Sequence, residues 1–330
     1  MKNRKRALVL ALIVFLLVSL ASVHFATYSA NAQSGNPTST SAQAQLVSAF
    51  KAVSVADSSG ANVSSLAAML NQAAALMDQA NSVSKSNPTL AQTLYSQSQT
   101  LSSKVASLAP AVGSQGAILK RNAEIAYVVE MLILGTLAIL AYLYTPKLFW
   151  NFWTKNHRKL KVVKKKAVTD VEALSILLLI IFILGLGLTY NYFWNGGTGA
   201  VTQPYSEIAL LGSNQTLSDY PQNVSVGQNF TLYLHVGNYE GHVIYYRVLA
   251  IVANESSVVN QTTTLNIPPI TSYDFVLANN QTSLRQATLA LNTPGTNVKL
   301  VFELWTYSID QGRFDYHSEW TQLLLNVTRS

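Results

Sequence analysis

Two long apolar stretches constrain this chain more than any other feature. The first is "IAYVVEMLILGTLAILAYLY", residues 125–144, followed by Pro146; the second is "ALSILLLIIFILGLGLTYNYFW", residues 173–194. Each has about 20 residues, enough as a helix to cover a hydrocarbon core of roughly 30 Å. Lipid offers the backbone no hydrogen-bond partner, so both are expected to be helical and to form a two-helix transmembrane hairpin. Composition agrees: 49% of residues are hydrophobic and only 11% charged, where an ordinary globular chain has about a quarter charged.

Between the two stretches lies "NHRKLKVVKKK". Residues 145–171 carry Lys147, Lys155, Arg158, Lys159, Lys161, Lys164, Lys165 and Lys166, with no acid before Asp170. Loops this basic stay in the cytoplasm. Phe149, Trp150, Phe152 and Trp153 at one boundary, and Tyr190, Tyr192, Phe193 and Trp194 at the other, resemble interfacial belts. The loop is too short to fold around its own core. Arg158, Lys159, Lys161, Lys164, Lys165 and Lys166 therefore read as a cytoplasmic anchor that attracts anionic lipid headgroups; docking of a cytoplasmic partner is the alternative. Nucleic acid is not an expected partner, because from residue 196 onward nine acids face five bases and no broad basic face remains.

The start, "MKNRKRALVLALIVFLLVSLASVHFATYSANAQS", has a basic region, an apolar run and a small-x-small site at Ala30-Asn31-Ala32. It reads as a signal peptide over 1–32, or an uncleaved signal anchor. The expected organisation is then an exported helical domain over 33–118, a transmembrane helix over 119–145 and a basic cytoplasmic loop over 146–171. A second transmembrane helix covers 172–194 and an exported β-sandwich covers 195–330. Sequons at Asn62, Asn214, Asn223, Asn229, Asn254, Asn260, Asn280 and Asn326 all lie in the parts placed outside, which makes them candidate glycosylation sites.

Residues 40–110 have helical periodicity. Leu66, Met69, Leu70, Ala73, Met77 and Ala80 recur at spacings of three and four, as do Leu90, Leu94, Leu101, Val105 and Leu108. "SNPTL" restarts the chain between them, with Pro88 suited to a first helical turn, and a weaker helix covers about 42–57. "APAVGSQG", 109–116, reads as a joint. From residue 195 the period becomes two: Phe230, Leu232, Leu234 and Val236 alternate with polar neighbours, as do Val298, Leu300, Phe302 and Leu304. Turn signals such as "GNYEG" and "TPGTN" separate the runs, so 203–328 is expected to form seven to nine strands of an antiparallel immunoglobulin-like sandwich.

"YSEIALLG", "DYPQNVSVGQNFTLYLHVGNYEGHVIYYRV" and "NVKLVFELW" occur in that order. Over about 200–327 the chain resembles the exported domain of an archaeal membrane-protein family of unknown function, in which an immunoglobulin-like sandwich follows spanning helices. The resemblance implies an archaeal cell-membrane protein with the sandwich outside. It carries over no catalytic residue.

Residues that would carry chemistry are sparse. There is no cysteine, which removes thiolate chemistry, disulfides and cysteine-held metals. His235 and His242 flank a turn and read as strand surface in preference to a metal pair; His24, His157 and His317 join no motif. Glu240, Asp274, Glu303, Asp310, Asp315 and Glu319 form no recognisable dyad and read as solvated surface. Gly135, Gly185 and Gly187 permit close helix contact, and Glu130 is either a helix- or partner-contact residue or an interfacial group. The expectation is a non-enzymatic, membrane-anchored surface protein of mixed α and β structure with no catalytic residue, cofactor or metal. Its partners would be the lipid bilayer and other membrane or envelope proteins, met through protein or glycan contact. The alternative is an auxiliary subunit of an integral membrane enzyme or translocation complex; an exported hydrolase would require convergent polar groups in the sandwich.

Overall fold

The computed structural model describes residues 38–156, 185, 187 and 203–329. Among the described residues, the first elements are the helices α1 (Ser39–Ser58), α2 (Ser64–Val83) and α3 (Pro88–Asn156). Their starts follow from local chemistry. Thr38 and Ser41 cap each other reciprocally ahead of α1. Asn62 Oδ1 accepts from Ser64 N at 3.1 Å ahead of α2, and Asn87 Oδ1 accepts from Leu90 N at 3.0 Å ahead of α3. Each satisfies an amide that the helix itself cannot. Leu46, Phe50, Val53, Leu66, Leu70 and Met77 fill the shared core, with many alanines between them.

The expected joint at 109–116 does not exist, because α3 continues through it. Pro110 lies on an exposed face. The two glycines are packing residues: a Cβ on Gly113 would lie 3.1 Å from Ala56 Cα, and one on Gly116 would lie 2.4 Å from Ala61 N. They let α3 lie against the end of α1 and the following turn, where a side chain at 116 would clash with the Ala61 backbone and one at 113 would crowd Ala56.

Among the described residues, no helix is long and apolar enough to cross a membrane. This finding overturns the expected two-helix transmembrane hairpin, and with it the multi-pass cell-membrane placement. Residues 119–136, the last of α3 whose side chains are described, carry Lys120, Arg121, Glu124 and Glu130, and each would be expensive in hydrocarbon. The signal-peptide residues 1–32, the basic residues Arg158 to Lys166, and the second apolar stretch apart from Gly185 and Gly187 lie outside the described residues.

Eight strands follow: β1 (Tyr205–Leu211), β2 (Asn223–Ser225), β3 (Asn229–Tyr239), β4 (Ile244–Ala253), β5 (Thr271–Leu277), β6 (Gln281–Ala290), β7 (Gly295–Ser308) and β8 (Arg313–Thr328). They form a three-stranded sheet, β1-β3-β6, facing a five-stranded sheet, β2-β8-β7-β4-β5. All pairs are antiparallel except β2 with β8. Leu232, Leu234, Val236 and Leu289 of the small sheet meet Tyr246, Phe275, Phe302 and Leu304 of the large one.

The large sheet is covered on its other face too. Val243, Tyr245 and Val276 belong to the core cluster of the helices. Farther along the same face, Ile251 and Val301 are buried under Val259 and Leu265 of the segment between β4 and β5. A strand covered on both sides is apolar on both faces, which accounts for "IYYRVLAIV" in β4, where Arg247 is the exception and pairs with Asp274.

Polar groups fix the helices to the sandwich. Asp78 Oδ2 accepts from Asp274 N at 3.0 Å and Asn71 Oδ1 from Val276 N at 3.4 Å, so α2 satisfies amides on edge strand β5. Arg285 of β6 donates to Asp78 and to the Asp274 carbonyl, and lies over the Phe275 ring. Arg247 grips Asp274 through Nε at 2.7 Å and Nη2 at 2.8 Å, and donates to Gln43 of α1 at 3.0 Å.

Candidate functional site

A cleft of about 550 Å³ opens where α1 meets the β3–β4 turn and the β7–β8 hairpin. Phe50, Val243 and Tyr307 line it together with Glu240, Asp310 and His317. Alongside, Ser206 Oγ of β1 lies 2.8 Å from Glu240 Oε1, 2.8 Å from the Tyr246 hydroxyl and 2.9 Å from His317 Nε2. These are the parts of a nucleophilic triad, so proton positions decide what they can do.

His317 Nε2 also lies 3.2 Å from Glu240 Oε1. An ionised carboxylate only accepts, so that nitrogen carries the hydrogen. Burial keeps the Tyr246 phenol above its usual range, and as a phenol it can donate to Ser206. Ser206 then gives its own proton to Glu240 and accepts from Tyr246 and His317. A nitrogen that already donates cannot take the serine proton, and in a working triad the carboxylate holds the other imidazole nitrogen. The cluster is a hydrogen-bond lock joining β1, β4, β8 and the β3–β4 turn. His317 reaches it through a bulge: the β7–β8 register shifts between Leu304 and Trp305, with Ser318 at φ 64°. Such a bulge re-aims a side chain that regular alternation would place elsewhere.

Two acids expected at the surface are buried. Asp274 is 1% exposed and Glu303 0%, because the outer face of the large sheet is covered. Glu303 Oε1 accepts from Leu265 N at 2.6 Å and Oε2 from Trp305 Nε1 at 3.2 Å, holding the β4–β5 segment to the sheet. Burial pushes its carboxyl upward, and those two donors pull against the shift.

The outward face of the small sheet is different. None of its outward side chains belongs to the clusters of buried residues found among the described residues. Tyr205 and Tyr239 are cross-strand partners whose rings stack with centroids 4.7 Å apart and planes 18° apart. In the next row Glu207 pairs with Gly237, and its Oε1 lies 3.4 Å from the Tyr239 hydroxyl and 3.6 Å from His235 Nδ1. Desolvation first and the Glu207 carboxylate second push the Tyr239 phenol upward, so it stays a donor. A Cβ at position 237 would meet Glu207 Oε1 at 2.5 Å; glycine leaves the carboxylate room to lie across the sheet. Thr282, Leu284, Gln286 and Thr288 of β6 are exposed.

The residues singled out from sequence are dispersed. Asn62, Asn214, Asn223, Asn229, Asn254, Asn260 and Asn280 are exposed. Asn326 is half-buried, with Oδ1 accepting from Asn297 N at 3.1 Å and Nδ2 donating to Asn223 at 3.1 Å. Glu130 is exposed and Gly135 half-buried on α3, and Gly185 and Gly187 are helical and exposed. His235 contacts Glu207 and His242 contacts the Glu240 carbonyl at 3.1 Å, so they share no ligand position. Sequence reasoning missed Ser206, Tyr205, Glu207 and Tyr239. Alternation over "YSEIALL" marks the face of Tyr205 and Glu207, but nothing in it says which face stays uncovered.

Residues 200–321 match the family model of a domain of unknown function (DUF1616). No curated protein matches the chain. Among solved structures, the chain is similar to the CARDB domain of a Pyrococcus furiosus protein, solved in complex with di-metal ions. That likeness has 11% identity over 38% of this chain and 90% of that one, with a TM-score of 0.26. A β-glucosidase from Listeria innocua shares 8% identity over 38% of this chain and 16% of its own, with a TM-score of 0.23. The complex of zinc 2-glycoprotein with prolactin-inducible protein from human seminal plasma shares 12% identity over 39% of this chain and 98% of that chain, with a TM-score of 0.24. The sandwich is defined by its own strand pairing.

Proposed function

We propose that this chain is a non-enzymatic recognition protein that meets its ligand on the outward face of β1, β3 and β6. One observation carries the reading. Helices and the β4–β5 segment cover the large sheet, while among the described residues nothing covers the tyrosine pair and positioned carboxylate of the small sheet. Tyrosine is enriched at recognition surfaces, and a carboxylate adds two directional acceptors. A photo-reactive amino acid placed at Thr282, on the face, is expected to give an adduct in native extract that the same probe at Lys85, on the helical unit, does not give. Identical adducts from both positions, or none from Thr282, would sink the proposal.

A second reading has an observation of its own. Along α3, Ile125, Val128, Val129, Leu132 and Ile133 are between 40% and 57% exposed, a run suited to another subunit's apolar helix. The chain would then also be an accessory subunit, and stoichiometric co-purification lost on replacing Val129 and Leu132 by Glu is the expected result.

A further inference from the structure

We infer that the uncovered face of the small sheet takes a neutral carbohydrate chain, with sugar rings against Tyr205 and Tyr239 and sugar hydroxyls on Glu207 and His235. This deepens the recognition reading and rests on it.

Three features select that ligand. The first is size. β1 has 7 residues; at about 3.3 Å per residue and about 4.8 Å per strand, three strands of that length give a plan area of roughly 330 Å². Each partner in a standard protein interface buries about 800 Å², so the face suits something slimmer. The second is charge. The outward positions of β1, β3 and β6 hold no lysine or arginine, since Arg285 points away to Asp78, which disfavours phosphates and nucleic acid. One carboxylate among Thr282, Gln286 and Thr288 suits a ligand of many neutral hydroxyls.

The third is the pairing of ring and carboxylate. A sugar has apolar C–H faces and a polar rim, so it needs an aromatic surface beside a multiple acceptor. Tyr205 is 48% exposed and braced by Tyr239, and a tyrosine ring offers an apolar body with a polar tip. Glu207 stands one row away, with two oxygens able to accept from neighbouring hydroxyls, and Tyr239 and His235 hold it in place. Gly237 keeps this carboxylate low on the sheet.

The test uses the purified full-length chain. Affinity electrophoresis through gels containing a soluble β-glucan, a mannan or glycol chitin is followed by calorimetry with the matching hexasaccharide. Retardation by at least one polysaccharide is expected, with Tyr239→Ala and Glu207→Gln each weakening binding about tenfold, the size of one aromatic or polar contact. Gly237→Ala is expected to weaken it too, because the added Cβ displaces Glu207, while Asp310→Asn in the cleft changes nothing. Glu207→Gln preserves shape, and an unchanged unfolding transition separates lost binding from lost folding. Retardation by none of the polysaccharides, or binding that survives all three face variants, overturns the inference. If the probe at Thr282 captures a polypeptide while no sugar binds, recognition stands and the carbohydrate reading falls; if it captures nothing, both fall.

Discussion

Replacing Arg247 by methionine would remove the cation from the most deeply buried carboxylate of the helix–sandwich contact. Asp274 is 1% exposed. Its oxygens receive Arg247 Nε at 2.7 Å, Arg247 Nη2 at 2.8 Å and the Tyr245 hydroxyl at 2.7 Å. The guanidinium also stacks 4.1 Å above the Phe314 ring centroid and donates to Gln43. Charges about 4 Å apart attract by about 4 kcal/mol at an effective dielectric constant near 20, and losing one member of a buried pair costs about 3–5 kcal/mol. That is a large part of a typical domain's stability. Urea denaturation followed by far-ultraviolet circular dichroism would measure it in Arg247→Met, Asp274→Leu and the double variant. The double variant is expected to lose less than the sum of the two, because it leaves no unpaired charge; about 1–3 kcal/mol remains for the Tyr245 hydroxyl, which loses its acceptor. A single-variant cost below about 1 kcal/mol, or strict additivity, would refute the reasoning.

Asp78 gives a pH signature. Burial pushes its carboxyl up to about 8, with Arg285 pulling the other way. The folded value exceeds the unfolded one of about 3.9, so protonation favours the folded state. This contribution is present below the unfolded value and lost as pH rises through about 8; Asp78→Asn is expected to remove that part of the decline in denaturation midpoint, and parallel pH profiles would count against it. Two serines of α3 should respond oppositely to alanine. Ser98 Oγ donates to the Ala73 carbonyl at 2.7 Å, whereas Ser102 Oγ is buried without a hydrogen-bond partner. Ser98→Ala should cost about 1 kcal/mol and Ser102→Ala should gain a similar amount, read from thermal unfolding.

How much of this was legible in the sequence depended on the range of each interaction. The helix starts at Ser39, Ser64 and Pro88 depend on residues within three positions, and the sequence displays them. "APAVGSQG" failed because Gly113 and Gly116 look the same whether they loosen a loop or admit a neighbouring backbone; the neighbours, Ala56 and Ala61, lie more than fifty residues earlier. Asp274 and Glu303 read as surface because a carboxylate is buried only with partners, and Arg247 and Leu265 are distant in sequence. His317 could not be placed, since a bulge at Ser318 breaks the period that would have aimed it. The apolar run of α3 was read from apolarity and length, and the charges at 120, 121, 124 and 130 received too little weight.

β4 is apolar on both faces apart from Arg247, and this was the sign in the sequence of how the two parts fit together. A strand that loses its polar alternation needs cover on both faces, and among the described residues the helices and the β4–β5 segment supply it opposite the small sheet. Once α1 and α2 occupy that position, α2 also satisfies amides of edge strand β5 through Asn71 and Asp78, and the opposite edge, β2, is three residues long. The β5 edge of the large sheet is therefore closed to further pairing by α2. The covering helices are held by a shared apolar core and by the buried pairing of Arg247 with Asp274. The alternation retained in β1, β3 and β6 places their polar side chains on the side away from the core.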